Sequence, residues 1–504
     1  MVTDEFILGA PDSKPPNQPP RLSFLHAHGA FPRAASVMVS PDDDPAALAA
    51  AFGLSARGAN ATKPPFSYLH AFFAAMSDPF DALTNPDGYV SFAVAQNVLT
   101  VDAVQTRLRD ALAAKQPPST AAYDNMRGSA RLRAALASHL ERVLAPRARS
   151  AASAASSSDP DPLVDPDHLC VSAGCGAVID NLFLAIAAEG DAVLIPAPYY
   201  PAFDNDLRVR DGVVAVPVHG ESAASLPTPA ALDAAVNAQR RDFGRDVRAV
   251  LLTNPSNPLG IVYPARDVAA ILAWGLERDV HVVVDEVYAS STFAPSRGAE
   301  GEEEGEEENP PRFVSALELD RSSLPEALRA KARTHLHLVY GLSKDFCASG
   351  YRVGALWTRN AGVLRAMDNV AYFCCVPGPM QLAIAEMLED ASWVDAYLAR
   401  NAENLREQHA SLASALAAEG IAVTPARAGM FVWIDLGGSL REATWEEEWR
   451  LWTAMFERAK IVATPGRDCK SAAPGCFRLC FASVDREAML AGVKRLGELL
   501  RAYE

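Results

Sequence analysis

The chain has 504 residues, of which 49% are hydrophobic and 21% are charged, and its formal net charge is −16. These values are ordinary for a folded protein and exclude general disorder, and the length predicts roughly two to four domains. Seven glutamates between Glu300 and Glu308 account for much of the acidity, and such a run is typical of a solvated loop. No basic stripe interleaved with aromatic residues is present, so nucleic acid is not an expected partner.

Eight cysteines are scattered along the chain without the paired spacing of a metal site, so we expect no metal and a reduced, cytoplasmic protein. The first residues, MVTDEFILGA, are acidic where a signal peptide needs positive charge. No stretch approaches the roughly 18 uninterrupted apolar residues of a membrane span, so no membrane partner is expected.

Three segments predict irregular structure. The first is the Pro-rich start of the chain, up to about Asp44. The second covers residues 148–167 and is rich in Ala, Ser, Pro and Asp, as flexible insertions are. The third is the glutamate run, which ends in Asn309-Pro310-Pro311.

Between these segments, short apolar runs alternate with helical patterns. Five runs are rich in Val, Leu and Ile: HLCVSAG, DAVLIPAP, RAVLLTNP, VHVVVDEVY and LHLVYGLSK. Strands that are apolar on both faces belong to a parallel sheet with helices on both sides, and residues 177–190 and 265–279 suit the crossover helices. The pattern predicts an α/β protein whose ligands bind at the carboxyl ends of the strands.

After about Asp368 the pattern changes to long amphipathic segments, followed by short strands near MFVWIDL and CFRLCFAS. This change predicts a second, smaller α+β domain that packs with part of the N-terminal segment. We therefore expect four parts: a flexible extension (1–45), a segment packed with the small domain (46–122), a large domain (123–368) and the small domain (369–504).

Residues with binding chemistry follow the first predicted strands. Around Cys175 and Gly176 a small-residue turn leads into a helix, whose free N–H groups form a natural phosphate site. Ile179 stands where a dinucleotide-binding motif needs its third glycine, which argues against a nicotinamide cofactor. Tyr200 can stack on a flat ring, although a tyrosine of the core is the ordinary alternative.

Two later strand ends suggest contacts to an aromatic cofactor. Asn257 lies in the turn TNPSNPLG, where its amide can donate to a phenolate-type oxygen, although these residues also form ordinary turns. Asp285 ends an apolar strand and needs a cation or a donor, and a pyridinium nitrogen would serve. Tyr288 follows three residues later and can reach the same site.

The segment LVYGLSKDFCASGYRVG places Lys344 directly after an apolar strand, where a lowered pKa suits Schiff-base formation. Ser343 and Arg352 are suitable phosphate ligands. Arg478 lies within an apolar strand and needs an anionic partner, such as a substrate α-carboxylate. Each residue alone has an ordinary structural alternative, but their joint order at strand ends favours a pyridoxal 5'-phosphate (PLP) site.

The motifs PYYPAFDNDLR, NPSNPLG, DEVY and GLSKD…GYRVG resemble class I aminotransferases of PLP fold type I. Within that family they resemble the 1-aminocyclopropane-1-carboxylate (ACC) synthase-like branch, with similarity from about residue 54 to 483. The resemblance implies an α/β large domain with a mostly parallel seven-stranded sheet and a smaller α+β domain. It also implies a homodimer with the active site between the subunits and an amino acid as substrate.

By this resemblance Lys344 would hold PLP as a Schiff base and shuttle the proton at Cα. Asp285 would pair with the pyridine nitrogen, Asn257 and Tyr288 would hold the phenolic oxygen, and Tyr200 would stack on the ring. The phosphate would be bound by Ser343, Arg352 and the backbone of Cys175 and Gly176. Arg478 would bind the substrate carboxylate.

Several positions depart from the family pattern. Gln96 stands where ACC synthases carry a Glu near the substrate, and Met126 where the family has a tyrosine that reaches the neighbouring subunit's cofactor. Gly341 replaces a phosphate-binding serine, and Gly176 a threonine of the phosphate turn. The core PLP residues are thus retained while the residues that recognise substrate are altered.

We therefore expect an aminotransferase that passes the amino group of an amino acid to a 2-oxo acid. The first alternative is elimination, either ACC formation from S-adenosylmethionine or carbon–sulfur bond cleavage of a cysteine conjugate. The second is a protein of this fold that no longer catalyses and serves as a binding partner.

Overall fold

A computed structural model describes residues 44–114, 116–146, 163–293 and 311–503 of the chain. The predicted flexible extension up to residue 43, most of the segment 148–167 and the whole glutamate run lie outside the described residues. Residues 163–167 are described and pack against the protein, with Val164 buried in the core, so this end of the predicted insertion is ordered.

Three helices of the N-terminal part have first turns that are capped by polar side chains. The Oγ atoms of Ser55 and Ser129, for example, accept the N–H groups of Gly58 and Leu132, which would otherwise lack a partner. The elements are α1 (Pro45–Phe52), α2 (Ala56–Asn60), α3 (Leu69–Ser77), β1 (Val90–Ser91), α4 (Val101–Ala113) and α5 (Ala130–Leu144).

A seven-stranded sheet forms the centre of the molecule. Its strands are β2 (Leu169–Ser172), β3 (Ala192–Ala197), β4 (Val214–His219), β5 (Val247–Thr253), β6 (His281–Asp285), β7 (Leu336–Gly341) and β8 (Gly354–Thr358), in the spatial order β2-β8-β7-β6-β5-β3-β4. β8 runs antiparallel to both of its neighbours, and the other neighbouring pairs are parallel. The predicted α/β fold with a mostly parallel sheet is confirmed.

Helices cover both faces of this sheet, as the apolar strands predicted. Val282 and Leu338 point into one hydrophobic core, and the alternate residues Val283 and Val339 point into another. The helices are α6 (Cys175–Ile186), α7 (Ala202–Arg208), α8 (Pro229–Phe243), α9 (Ala265–Glu277), α10 (Ala316–Ser322), α11 (Glu326–His335), α12 (Leu342–Asp345) and α13 (Ala361–Val370).

The C-terminal part combines helices with a small antiparallel sheet. Its elements are α14 (Gly378–Glu389), α15 (Ala391–Ala418), β9 (Ala422–Val423), β10 (Phe431–Asp435), α16 (Trp445–Glu457), β11 (Ile461–Val462), β12 (Thr464–Pro465), β13 (Cys476–Cys480) and α17 (Arg486–Arg501). The sheet has the order β12-β13-β10-β9, and β11 pairs in parallel with β1. Val90 and Phe92 accordingly share a hydrophobic core with this part.

Within the described part of the chain, no single helix is long and apolar enough to cross a membrane. One pair, Ala361–Cys374 with Gly378–Glu389, would suffice by length and composition but is bent by 115°. All eight cysteines are described and free of disulfides. The same residues contain no group of three or more His, Cys, Asp or Glu side chains placed to hold a metal ion.

Candidate active site

The predicted site residues follow several strands at one edge of the central sheet. Cys175 comes after β2, Asn257 after β5 and Lys344 after β7, while Asp285 is the last residue of β6. These strands share one direction, so their carboxyl ends meet at the same edge. Arg352 precedes the reversed strand β8 and therefore lies at this edge as well.

Lys344 lies in the short helix α12, with its amine inside the protein. Burial lowers the pKa of this amine to about 8, although the nearby Cys480, Cys175 and Asp285 groups act in the opposite direction. Its Nζ donates to the backbone carbonyl of Ala95. A neutral, nucleophilic amine is therefore accessible near physiological pH, as a lysine that bonds a carbonyl cofactor requires.

Asp285 is a buried carboxylate in need of a positive partner. Burial raises the pKa of Asp285 to about 7. The Val287 N–H, which donates to Asp285 Oδ1 at 3.2 Å, and the charge of Lys344 both act to lower it. Among the described side chains no cation forms an ion pair with it. A protonated pyridine nitrogen supplies that charge, so Asp285 fits the ring of PLP.

A chain of hydrogen bonds joins three predicted residues beside Asp285. Arg478 Nη1 donates to Asn257 Oδ1 at 2.9 Å, and Asn257 Nδ2 donates to Tyr288 Oη at 3.1 Å. Burial raises the pKa of Tyr288, so its hydroxyl keeps its proton and can donate to a phenolic oxygen. The residues assigned to the cofactor ring and to the substrate carboxylate thus form one network.

Arg478 is a buried cation without an anionic partner. It lies on β13, is 1% exposed, and its guanidinium packs 4.7 Å from the Phe431 ring. Nη2 donates to Ala93 O at 2.6 Å and to Thr464 Oγ1 at 2.9 Å, while Nε has no hydrogen-bond partner. In the described chain no carboxylate pairs with it, so a substrate α-carboxylate would complete this site.

The segment before α6 forms a cradle suited to a phosphate. Gly174 has a φ of +90°, and a Cβ there would lie 2.3 Å from Arg352 Nη2. A Cβ at Gly354 would lie 2.5 Å from the Gly174 carbonyl carbon. Close packing against the backbone therefore requires glycine at position 354, and the positive φ favours glycine at position 174. Arg352 Nη2 donates to Ala173 O at 3.2 Å, which holds the guanidinium beside the start of α6.

The remaining phosphate and ring residues show different degrees of constraint. Ser343 is buried in α12, next to Lys344. A Cβ at Gly176 would meet only Asp206, at 3.9 Å, so packing does not require glycine there. Tyr200 packs edge-on against Phe203, and burial raises its pKa to about 12.

Two positions that depart from the family pattern are placed differently. The backbone carbonyl of Gln96 accepts from Cys480 Sγ at 3.5 Å, and its neighbour Ala95 contacts Lys344, so Gln96 lies beside the lysine. Met126 lies in the turn before α5, where Gly128 N donates to Asn125 O.

Sequence reasoning missed some neighbours of these residues. Tyr68 is buried with its Oη 3.4 Å from Thr464 Oγ1, and burial raises its pKa while Arg478 opposes the rise. Asp206 on α7 has its pKa raised to about 7 by burial and by the charges of Asp180 and Asp285. Tyr68 lies outside the strand-end motifs, whereas Asp206 lies within the PYYPAFDNDLR motif and could have been noticed there.

Known structures resemble this fold over most of its length. An aspartate aminotransferase from Thermus thermophilus with maleate has a TM-score of 0.66 and 22% identity, covering 89% of this chain and 99% of its own. An aminotransferase from Mycobacterium tuberculosis has a TM-score of 0.67 and 21% identity, with the same coverage. At these identities the likeness concerns the fold.

Sequence relatives are closer. ACC synthase 4 of Oryza sativa subsp. japonica is 33% identical over 86% of this chain and 87% of its own length. A probable aminotransferase of Arabidopsis thaliana is 29% identical over 89% of this chain and 86% of its own length. The family described as aminotransferase class I and II matches residues 90–496. The chain therefore belongs to the class I and II aminotransferases, and it is a PLP-dependent enzyme that acts at the Cα of an amino acid.

Proposed function

We propose that the protein is an aminotransferase that moves the amino group of an amino acid to a 2-oxo acid. The observation that carries this proposal is the buried, anion-free guanidinium of Arg478, linked through Asn257 to Tyr288. A carboxylate bound there places the adjacent Cα close to the cofactor ring and to Lys344. Both an amino acid and a 2-oxo acid carry that carboxylate, so one site serves both halves of the reaction.

Each half-reaction assigns distinct tasks to the protein. PLP, when bound, supplies an electron sink for the pair released at Cα. Asp285 would keep the pyridine nitrogen protonated, and Asn257 and Tyr288 would hold the phenolic oxygen. Lys344 would hold PLP and would move the proton at the substrate Cα, because its lowered pKa makes it an effective base near neutral pH.

The second candidate is elimination, as ACC formation or carbon–sulfur bond cleavage. The similarity to ACC synthases over most of the chain favours it. Gln96 opposes the ACC variant, because its side chain is uncharged and offers no negative charge to a sulfonium substrate. Transamination needs no such charge and therefore comes first.

The experiment that separates the two uses the purified holoenzyme with a panel of amino acids and 2-oxo acids. Transamination converts PLP to pyridoxamine phosphate, visible by absorbance, and yields the matching 2-oxo acid. Lys344→Ala is the control and should abolish the conversion. If no pair yields pyridoxamine phosphate while a sulfur substrate yields ACC, or a thiol with pyruvate and ammonia, the aminotransferase proposal fails.

We also propose that the protein acts as a homodimer with the active site at the subunit interface. Tyr123 is 96% exposed and Phe373 71%, and Tyr372 and Phe373 stand together with ring centroids 4.0 Å apart. The neighbouring Cys374 carbonyl accepts the Ala173 N–H at 2.7 Å, so this aromatic patch adjoins the phosphate cradle. Exposed aromatic patches are typical of protein interfaces.

Light scattering after size-exclusion chromatography tests this arrangement, because a dimer has twice the chain mass of 53.8 kDa. Phe373→Ser should weaken both dimerisation and PLP binding, whereas Phe243→Ser, on α8 and 60% exposed, should change neither. A monomeric wild-type holoenzyme would refute the dimer.

We propose a cytoplasmic location as well, supported by eight cysteines that form no disulfide. Fractionation of cells that express the tagged full chain tests it, and recovery in a secreted or organelle fraction would refute it.

A further inference from the structure

Asp345, the residue after Lys344, is a buried carboxylate to which the reaction assigns no task. It ends α12, is inaccessible to solvent, and burial raises its pKa to about 6. A buried carboxylate is destabilising unless donors satisfy it, so its partners indicate what it does.

Three donors from two segments meet at this carboxylate. Ser291 Oγ donates to Oδ1 at 2.7 Å, and Ser290 N donates to Oδ2 at 2.9 Å. The Tyr340 hydroxyl, on β7, donates to Oδ2 at 3.2 Å. Because the two serines come two and three residues after Tyr288, the carboxylate joins the Lys344 turn to the segment that carries the predicted ring ligands.

His139 on α5 extends the network behind Tyr340. Its Nε2 lies 3.1 Å from Tyr340 Oη, and its Nδ1 has no hydrogen-bond partner. Since the Tyr340 proton points to Asp345, His139 must donate from Nε2, which fixes the neutral tautomer. Burial lowers the pKa of His139 to about 3, so the imidazole remains neutral. His139 then donates to Tyr340 and Tyr340 donates to Asp345.

The backbone of Asp345 is fixed from the other side. Its carbonyl accepts Asn401 Nδ2 at 3.3 Å, and Asn401 Oδ1 accepts Asn97 Nδ2 at 2.8 Å. Asn97 lies two residues after Ala95, whose carbonyl accepts Lys344 Nζ. The turn of the lysine is therefore connected to the segments on both sides of its amine.

We propose that Asp345 is a positioning residue, whose carboxylate sets the location of the Lys344 amine relative to the ring ligands Asp285 and Tyr288. It acts through hydrogen bonds to Ser290, Ser291 and Tyr340, without touching cofactor or substrate. The inference rests on the proposed function only in taking Lys344 as the residue that bonds PLP, and it holds equally for transamination and elimination.

The test compares Asp345→Ala with Asp345→Asn in the full-length protein. Asparagine keeps an oxygen for Ser290 N and Tyr340 Oη, and its amide can donate to Ser291 Oγ, so geometry survives without the charge. Glu448→Ala is the matched control, because Glu448 is also a buried carboxylate that braces loops, accepting Arg467 N at 2.9 Å and Gly475 N at 2.7 Å.

Three quantities are measured for each variant. The first is the Kd for PLP by absorbance titration, and the second is the yield of PLP fixed on Lys344 by borohydride reduction, mapped by mass spectrometry. The third is the melting temperature of the apoprotein. None of these measurements depends on turnover. They therefore test the role of Asp345 even if the protein does not catalyse transamination.

Asp345→Ala should raise the Kd for PLP by about tenfold and lower the fixed yield, in proportion to the lost hydrogen bonds. Asp345→Asn should stay within about threefold of the wild type. Glu448→Ala should lower the melting temperature as much as Asp345→Ala, with a Kd within about twofold of the wild type.

The proposal is overturned if Asp345→Ala lowers only the melting temperature, or if Asp345→Asn weakens PLP binding as strongly as Asp345→Ala. If Asp345→Ala does not fold, Tyr340→Phe and Ser291→Ala decide the question, since each removes one donor. Both should raise the Kd by about threefold, and an unchanged Kd in both refutes the positioning role.

Discussion

Gly341 faces the thiol of Cys175 so closely that a Cβ at position 341 would lie 2.5 Å from Sγ. The thiol donates to Tyr340 O at 3.4 Å, and burial raises its pKa, so it stays protonated. The Cys175 thiol therefore occupies the space that the Cβ of a serine at position 341 would need. The residues at positions 175 and 341 are thus coupled.

The first prediction follows from this coupling. Gly341→Ser should raise the Kd for PLP by about tenfold or more, because the new side chain collides with Cys175 and displaces the start of α6. The double variant Cys175→Ala, Gly341→Ser should recover most of the affinity, since alanine removes the colliding sulfur. PLP titration of both proteins and of Cys175→Ala forms a double-mutant cycle, and additive effects would show that the two positions are independent.

Asp285 should make the apoprotein sensitive to pH. Its folded-state pKa is raised to about 7, so between its unfolded value near 4 and pH 7 the folded state binds more protons than the unfolded state. The stability contributed by protonated Asp285 is thus present at low pH and is lost as pH rises through 7. Asp285→Asn should stabilise the apoprotein by an amount that grows up to about pH 7 and is constant above it.

Urea unfolding of wild-type and Asp285→Asn apoprotein between pH 5 and 8 measures this difference. With saturating PLP the wild type should become more stable than Asp285→Asn, because the pyridinium nitrogen stabilises the ionised Asp285 carboxylate. A difference in unfolding free energy that does not change with pH would contradict the assigned shift.

Arg478→Lys should reduce kcat/KM for amino acids by about a hundredfold, because lysine cannot bind a carboxylate and Asn257 through one planar group. The Kd for PLP should change by less than about threefold. Arg133→Lys is the matched control, since Arg133 is also buried and donates to the Gly128 and Pro166 carbonyls. A loss confined to PLP affinity would place Arg478 on the cofactor and away from the substrate.

Gln96→Glu should favour a cationic substrate. A carboxylate beside Lys344 attracts a sulfonium group, so the inhibition constant of S-adenosylmethionine against amino-acid turnover should fall by about tenfold. Gln96→Asn removes a methylene without adding charge and should not strengthen the inhibition. If neither variant changes the inhibition constant, the side chain at position 96 does not face the substrate.

Much of the fold and of the site could be predicted from local patterns. Residues 282–284 and 338–339 are apolar on both faces because helices cover both sides of the sheet, and that requirement is visible in the sequence. The PLP requirement was predicted as well, because it follows from residue types placed at strand ends, and the family match confirms it. The roles of individual site residues stay predictions until the variants above are measured.

Features that depend on tertiary packing could not be predicted. Strand β4 was missed because it lies at the sheet edge, is partly exposed and contains Pro217, so it lacks a continuous apolar run. Gly341 packs closely against Cys175, and Asp345 accepts hydrogen bonds from Ser290 and Ser291. In both cases the residues are far apart along the chain. No local pattern encodes such contacts.

The amide of Asn257 connects the carboxylate end of the active site to the ring end. A carboxylate that binds Arg478 would share its guanidinium with Asn257 Oδ1, and polarisation along the hydrogen-bond chain would then change how Asn257 and Tyr288 hold the phenolic oxygen in their predicted roles. The visible spectrum of the holoenzyme should consequently report carboxylate binding before any covalent bond changes. We therefore expect that simple carboxylates without an amino group can be ranked as ligands by absorbance alone, without a reaction.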